Sequence, residues 1–234
     1  MSTPAAPVFV PLTIDEIRAE TPELVHLSVM APPEFLKVYS HPGQYVQIAI
    51  EGMKPSFFAI ANGPSSERLE FLIKRGSPAA DVIAAKKAGD ALQVSAPTGK
   101  GYPLVHAQGR DVFVIGVGSG MAPLRALMHT IMARRTDFAH IHFLYGARQA
   151  QLIPYFREIE AWKSAGVHAT CVCSKGDAES WPGEKGYVQD FLRSARPDAA
   201  NAVAYVCGMK PMVEGVKAAL SELGLSPERI HQNF

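Results

Sequence analysis

The chain has 234 residues, 47% of them hydrophobic and 19% charged, with a formal net charge of +1. Such a chain buries one large core or two modest ones; near-neutrality without a basic run disfavours nucleic acid and anionic membrane as partners, and no apolar run approaches a bilayer span. Its three cysteines, Cys171, Cys173 and Cys207, are too few for a four-thiolate cluster, and their odd number, with no secretory signal at the start, points to a reducing compartment and a cytoplasmic chain.

Residues up to about 105 read as β-rich. Strands are expected at 8–19, 24–30, 44–50, 56–61, 69–74 and 91–95, separated by Ala31-Pro32-Pro33, His41-Pro42-Gly43, Gly52, Gly63-Pro64 and Gly89-Asp90. Short strands so punctuated predict an antiparallel barrel, interrupted by one helix near 79–87. The stretch 105–110 reads as a linker. Beyond Gly109 the rhythm becomes strand, helix, strand, helix. Strands are expected at 111–116, 141–145, 167–172, 203–207 and 229–232, and helices at 123–134, 155–165, 188–194 and 211–223. That alternation predicts a doubly wound parallel sheet. The division expected is therefore a barrel domain over 1–106 and an α/β domain over 107–234. His140 and His142 share a strand face, which ordinary packing explains, and no metal site is expected.

The second half turns on Asp111-Val112-Phe113-Val114-Ile115-Gly116-Val117-Gly118-Ser119-Gly120-Met121-Ala122-Pro123-Leu124. The apolar run has the look of a strand covered on both faces. The alternate glycines allow positive φ and close approach to bare backbone. Ser119 is placed as the helix N-cap and Pro123 in the first turn. A helix N-terminus reached through glycines presents free N–H groups and a positive dipole end, chemistry suited to a pyrophosphate. A tight turn without a ligand has the same pattern, and the spacing is not the dinucleotide fingerprint G-x-G-x-x-G. Tyr145-Gly146, Cys173-Ser174 and Cys207-Gly208 fall at the same ends of neighbouring strands, where open parallel sheets bind ligands.

Five blocks in this order resemble the ferredoxin–NADP reductase superfamily: His41-Pro42-Gly43-Gln44-Tyr45, Ser56-Phe57-Phe58-Ala59-Ile60-Ala61-Asn62, the glycine turn through Leu124, Tyr145-Gly146-Ala147-Arg148, and Cys207-Gly208-Met209-Lys210-Pro211-Met212. The resemblance implies a barrel that holds FAD, or FMN as in some members, and an α/β half that binds NADPH or NADH. It implies that Tyr45, Phe57, Phe58, Ala59 and Ile60 line the flavin ring, and that Lys74, Arg75, Gly76 and Ser77 meet the flavin phosphates. Gly99 belongs to a glycine loop at the junction. Gly116, Gly118, Ser119, Gly120, Met121 and Pro123 form the pyrophosphate turn. Cys207, with Gly208 and Met209, lies beside the nicotinamide, and Phe234 stacks on the flavin. The implied activity is that of a flavin-dependent oxidoreductase taking hydride from nicotinamide and passing electrons to a separate acceptor: a ferredoxin-like carrier, an oxygenase or another protein.

The chain departs from the family where an Arg usually binds the flavin pyrophosphate, for here Ser56 stands. Phe58 replaces a Tyr, Ala59 replaces the Ser near the flavin N5, and Gln232 stands nearest the acidic residue of plant-type members. These departures leave two further readings open: a non-catalytic scaffold or regulatory member, and a reductase that releases free flavin. Arg148 belongs to the cofactor-binding blocks, and Ser174, Lys175, Lys185 and Tyr187 gather near the expected ribose 2′ position and favour NADPH over NADH.

Overall fold

The computed structural model describes residues 6–175 and 181–233. Six strands come first: β1 (Phe9–Ala19), β2 (Leu24–Met30), β3 (Tyr45–Ala49), β4 (Ser56–Ala59), β5 (Arg68–Lys74) and β6 (Ala91–Ser95). All pair antiparallel, in the order β4-β3-β6-β1-β2-β5. A register shift between Ile14 and Glu16 bends β1, so its first half pairs with β6 and its second with β2. A bridge between Ile60 and Phe71 joins the two ends of the order and closes the barrel. Residues two apart face inward: Val46 and Ile48, Leu69, Phe71 and Ile73, Leu92 and Val94 fill the interior.

Two short helices interrupt these strands, α1 (Pro33–Val38) and α2 (Pro78–Ala84). The second matches the expected helix, shifted toward its start. The Ser77 side chain caps it by accepting from the Ala80 N–H. The first stands where a turn was expected. Pro33 occupies the opening helical position, where a missing N–H costs nothing, and Phe35 anchors the turn in the barrel core.

The second sheet comprises β7 (Asp111–Val117), β8 (Ile141–Ala147), β9 (His168–Cys173), β10 (Glu184–Lys185), β11 (Ala202–Cys207) and β12 (Ile230–Gln232), ordered β10-β9-β8-β7-β11-β12 and parallel throughout. Helices α3 (Met121–Ala133) and α4 (Phe156–Ser164) cover one face. Helices α5 (Val188–Ala195) and α6 (Lys210–Glu222) cover the other. Along β7, Val112 and Val114 join the first core, and Phe113 and Ile115 the second. Both faces of β7 are therefore dry, which accounts for its unbroken apolar run. The strand order reverses between β7 and β11, the topological switch point of such a sheet.

The segment joining the sheets is packed. Leu104–Ala107 forms a 3₁₀ turn whose Leu104 and Ala107 are buried in the core beneath α3 and α4. Leu24, Ala61 and Leu72 of the barrel reach the same core, so apolar burial joins the two halves.

At the other ends of the parallel strands the His142 ring stacks on Phe113 (centroids 4.5 Å apart) and on His168 (5.0 Å). Burial, then the neighbouring His168, pushes its pKa down to about 4, against the opposing pull of Asp111. The fold therefore favours neutral His142. Its contribution is complete above the unfolded histidine value and is lost as pH falls from there toward 4. Discounted for the partly open edge of the ring, the loss between pH 7 and 5 is about 1 kcal/mol. His142→Phe should retain the stack and show a smaller drop in urea midpoint over that range; an unchanged drop would remove His142 as the cause.

Candidate active site

The carboxyl ends of the parallel strands face the barrel across a crevice of about 1190 Å³. After β7 the chain turns at Gly118, whose φ is +57°, and runs through a 3₁₀ turn, Gly118–Gly120, into α3. Ser119 is not the N-cap expected. Gly120 already has helical φ and ψ, the extended residue before the turn is Val117, and no side chain caps α3. The chain coils two residues earlier than the sequence pattern indicates, so a serine inside the coil has no capping geometry.

Each glycine of the turn has its own reason. Gly118 supplies a left-handed conformation with open space beside it. Gly116 and Gly120 instead pack against the β11 end: a Cβ on Gly116 would lie 2.9 Å from the Cys207 carbonyl oxygen, and one on Gly120 2.8 Å from the Cys207 carbonyl carbon. The Tyr145 hydroxyl, fully buried, donates to the Gly118 carbonyl at 2.8 Å and pins the turn from β8.

Helices α5 and α6 also begin at this crevice, and neither has a side-chain cap. Three helix N-termini thus present N–H groups with no intrahelical partner to one cavity. Their dipoles favour an anion there.

The opposite wall comes from the barrel. Ser56, Phe57, Phe58 and Ala59 of β4 line the crevice, as do Lys74 and Ser77. Phe57 is 64% exposed and meets the Tyr45 ring edge-on at 5.5 Å, whereas Phe58 packs toward the barrel core. Cys207 sits between the walls, and burial pushes its thiol up to about 11. It is therefore a neutral, small group at neutral pH rather than a nucleophile.

The sequence profile of the Oxidoreductase NAD-binding domain family matches residues 114–218. Sulfhydrogenase 1 subunit gamma of Pyrococcus furiosus is 31% identical over 192 residues, covering 81% of this chain and 66% of that one. Over residues 114–218 the chain is similar to NAD-binding oxidoreductases, and its fold is that of the ferredoxin–NADP reductases. The reductase component of propane 2-monooxygenase from Rhodococcus jostii is 28% identical, covering 93% of this chain and 61% of its own length. The chain thus spans about two thirds of these curated relatives. A ferredoxin NADP+ reductase from Neisseria gonorrhoeae, solved with bound FAD and NADP, superposes with a TM-score of 0.82 at 16% identity, over 96% of this chain and 97% of that one. The shared fold is the antiparallel barrel followed by the parallel α/β sheet.

Most positions drawn from the ferredoxin–NADP reductase motifs meet at the crevice: Phe57, Phe58, Ala59, Lys74, Ser77, Gly118, Ser119, Gly120, Pro123, Arg148, Ser174, Lys175, Tyr187, Cys207, Gly208 and Met209. Others stand behind its walls. Ile60 and Met121 are fully buried, and Gly116 is packed under Leu124. Tyr45 braces Phe57, and Gly99 lies against Tyr45. Arg75 donates to the Ala84 carbonyl at 3.4 Å, and the Gly76 N–H donates to the Asp81 carboxylate at 2.9 Å. Arg148 pairs with Glu23 across the crevice. Phe234 lies outside the described residues. At the C-terminus Gln232 pairs in β12, and the residue that lines the crevice is Asn233. Gln189, at the start of α5, is a second lining residue that no motif marks. Among the described residues no group of three or more His, Cys, Asp or Glu is arranged to hold a metal ion. Among the same residues no helix is long and apolar enough to cross a membrane.

Proposed function

We propose that this chain is a flavin-dependent NAD(P)H oxidoreductase that passes electrons to a separate acceptor. The observation that carries the reading is the composition of the crevice. One wall is aromatic and small-residue barrel strand, the other is three uncapped helix N-termini at the carboxyl ends of the parallel strands, and a neutral thiol lies between. An isoalloxazine ring suits the first wall and a dinucleotide pyrophosphate the second. When bound, the flavin accepts hydride and releases electrons one or two at a time.

The protein's own residues bind and orient. Gly118–Gly120 cradles the dinucleotide pyrophosphate with backbone N–H groups. Ser174 and Lys175, with Arg148 and Tyr187, meet a ribose 2′-phosphate, which makes NADPH the preferred donor over NADH. Gly208 has no room for a side chain, being packed against Val117 and Met212, and Cys207 fills the space beside the nicotinamide without charge. Lys74 and Ser77 serve the phosphates of FAD, or of FMN. The acceptor is a ferredoxin-like carrier, an oxygenase or another protein, as the name of the monooxygenase reductase component suggests. The division into a flavin-binding unit, 1–106, and a nucleotide-binding unit, 107–234, and a cytoplasmic location for a chain with three unpaired cysteines, complete the reading.

Ser56 and Ala59 favour a second reading, a member that binds nucleotide or a protein partner without flavin chemistry. The absorbance spectrum of the purified protein, recorded without oxygen before and after NADPH and then NADH, separates the two. A yellow protein that bleaches supports the reductase, and the faster donor identifies the nucleotide. A colourless protein that takes up neither FAD nor FMN supports the scaffold.

A further inference from the structure

Helix α3 is apolar almost throughout, yet Arg125 lies buried within it, 6% exposed, beside Leu124, Ala126 and Leu127. A guanidinium taken from water must have its donors satisfied. Nε and Nη2 grip the Glu158 carboxylate of α4 at 2.7–3.0 Å. Nη1 leaves this half of the molecule altogether: it donates to the Ala61 carbonyl at 3.0 Å and to the Glu70 carboxylate of β5 at 2.5 Å. The guanidinium carbon Cζ lies over the Tyr155 ring, 4.4 Å from its centroid. Tyr155 in turn reaches the barrel twice, through its hydroxyl to His26 Nδ1 at 3.0 Å and through its N–H to Glu20 at 2.8 Å.

One side chain therefore ties the β4 exit and β5 to α3 and α4. Its two anchorages adjoin the crevice. Pro123 and Ala59, each two residues from an anchor point, line opposite walls. Any change in the span between Arg125 and the Ala61–Glu70 corner changes the separation of those walls. We propose that Arg125 is a positioning residue, clamping the barrel to the α/β half so that the two walls keep the alignment that hydride transfer needs. The proposal rests on the reductase reading and adds the element that sets its geometry.

Arg125→Ala would strand Glu70 and Glu158 and risks misfolding. Two gentler variants test the clamp: Glu70→Gln, which weakens the barrel anchorage, and Arg125→Met combined with Glu70→Leu, which replaces it by apolar contact while His129 remains with Glu158. The first readout needs no cofactor. Both tryptophans, Trp162 and Trp181, lie in the α/β half, so their fluorescence follows that half while far-ultraviolet circular dichroism follows both. In the flavin-free parent the two urea transitions should coincide; in the variants they should separate. The second readout is the holoenzyme. Dinucleotide Kd and KM should stay within about twofold of the parent while the hydride-transfer rate and kcat fall at least roughly tenfold, since a misplacement of about 1 Å is enough for that loss.

Variants that unfold earlier yet reduce flavin at the parental rate would make Arg125 a stabiliser only and overturn the proposal, as would coincident transitions in every protein. A parent that reduces no flavin would overturn the reductase reading, and with it the role in hydride transfer.

Discussion

Gly120→Ala is expected to lower dinucleotide affinity at least tenfold and to slow hydride transfer further still. The backbone at Gly120 is helical, so alanine there is not strained. The obstacle is space. The new Cβ would meet the Cys207 carbonyl group, with the Gly208 nitrogen 3.2 Å away. All of these atoms are backbone of the turn between β11 and α6, and none can swing aside as a side-chain tip would. Overpacking of this kind costs about 1–3 kcal/mol. It is relieved here by pushing Cys207 and Gly208 away from the glycine turn, which opens the dinucleotide cradle. A loss of 1.4 kcal/mol is a tenfold weaker Kd. Gly118→Ala is the control. Its Cβ would meet nothing within 4 Å, but φ of +57° strains any L-residue, by about 1–2 kcal/mol. That variant should bind more weakly and keep Cys207 where it is. Calorimetric titration with NADP+ and NAD+, alongside flavin content, checks both. Parental affinity in Gly120→Ala would refute the packing argument, and parallel loss of dinucleotide and flavin would indicate global unfolding instead.

The contrast between these glycines also marks how far sequence alone reaches. Periodicity located every long strand and helix, because burial on one face or two leaves a repeat of two or of 3.6 in the residues themselves. It could not tell a glycine needed for φ from one needed for proximity. Gly116 and Gly120 are small because a strand 87–91 positions away in the chain passes over them, and nothing local encodes that. Arg125 is the sharper case. An arginine within an apolar helix has no pattern of its own, and its partners lie 33, 55 and 64 residues distant. The helix α1 was hidden for another reason: two prolines are a turn signal and equally a helix-start signal, and the buried Phe35 decides between them. Strand β10, two residues long, is too short to leave any periodic trace. At the C-terminus the motif placed Gln232 at the acidic position, but the pairing of β12 with β11 engages Gln232 and leaves Asn233 for the crevice.

Ser56→Arg is expected to tighten FAD binding by about tenfold to a hundredfold. Ser56 opens β4, pairs with Ile48 of β3 and lines the crevice half-buried. The position is the one where the family resemblance calls for an arginine on the flavin pyrophosphate. Of the basic residues expected to compensate, Lys74 reaches the crevice, but the Arg75 guanidinium is turned onto the end of α2. Ser77 accepts from the Ala80 N–H and keeps its O–H for a phosphate, but it carries no charge. The phosphate end of the site is therefore short of one charged donor. A charge-assisted hydrogen bond contributes about 1.5–3 kcal/mol, which is the stated range of affinity. Flavin fluorescence titrations with FAD, FMN and riboflavin measure it. The gain should appear for the two phosphorylated flavins, shrink as salt rises, and be absent for riboflavin, which has no phosphate. An equal gain for riboflavin would mean that the arginine had repacked the ring wall rather than met a phosphate. No gain for any flavin would mean that Ser56 lies away from the phosphate path and that its departure from the family pattern does not set flavin affinity.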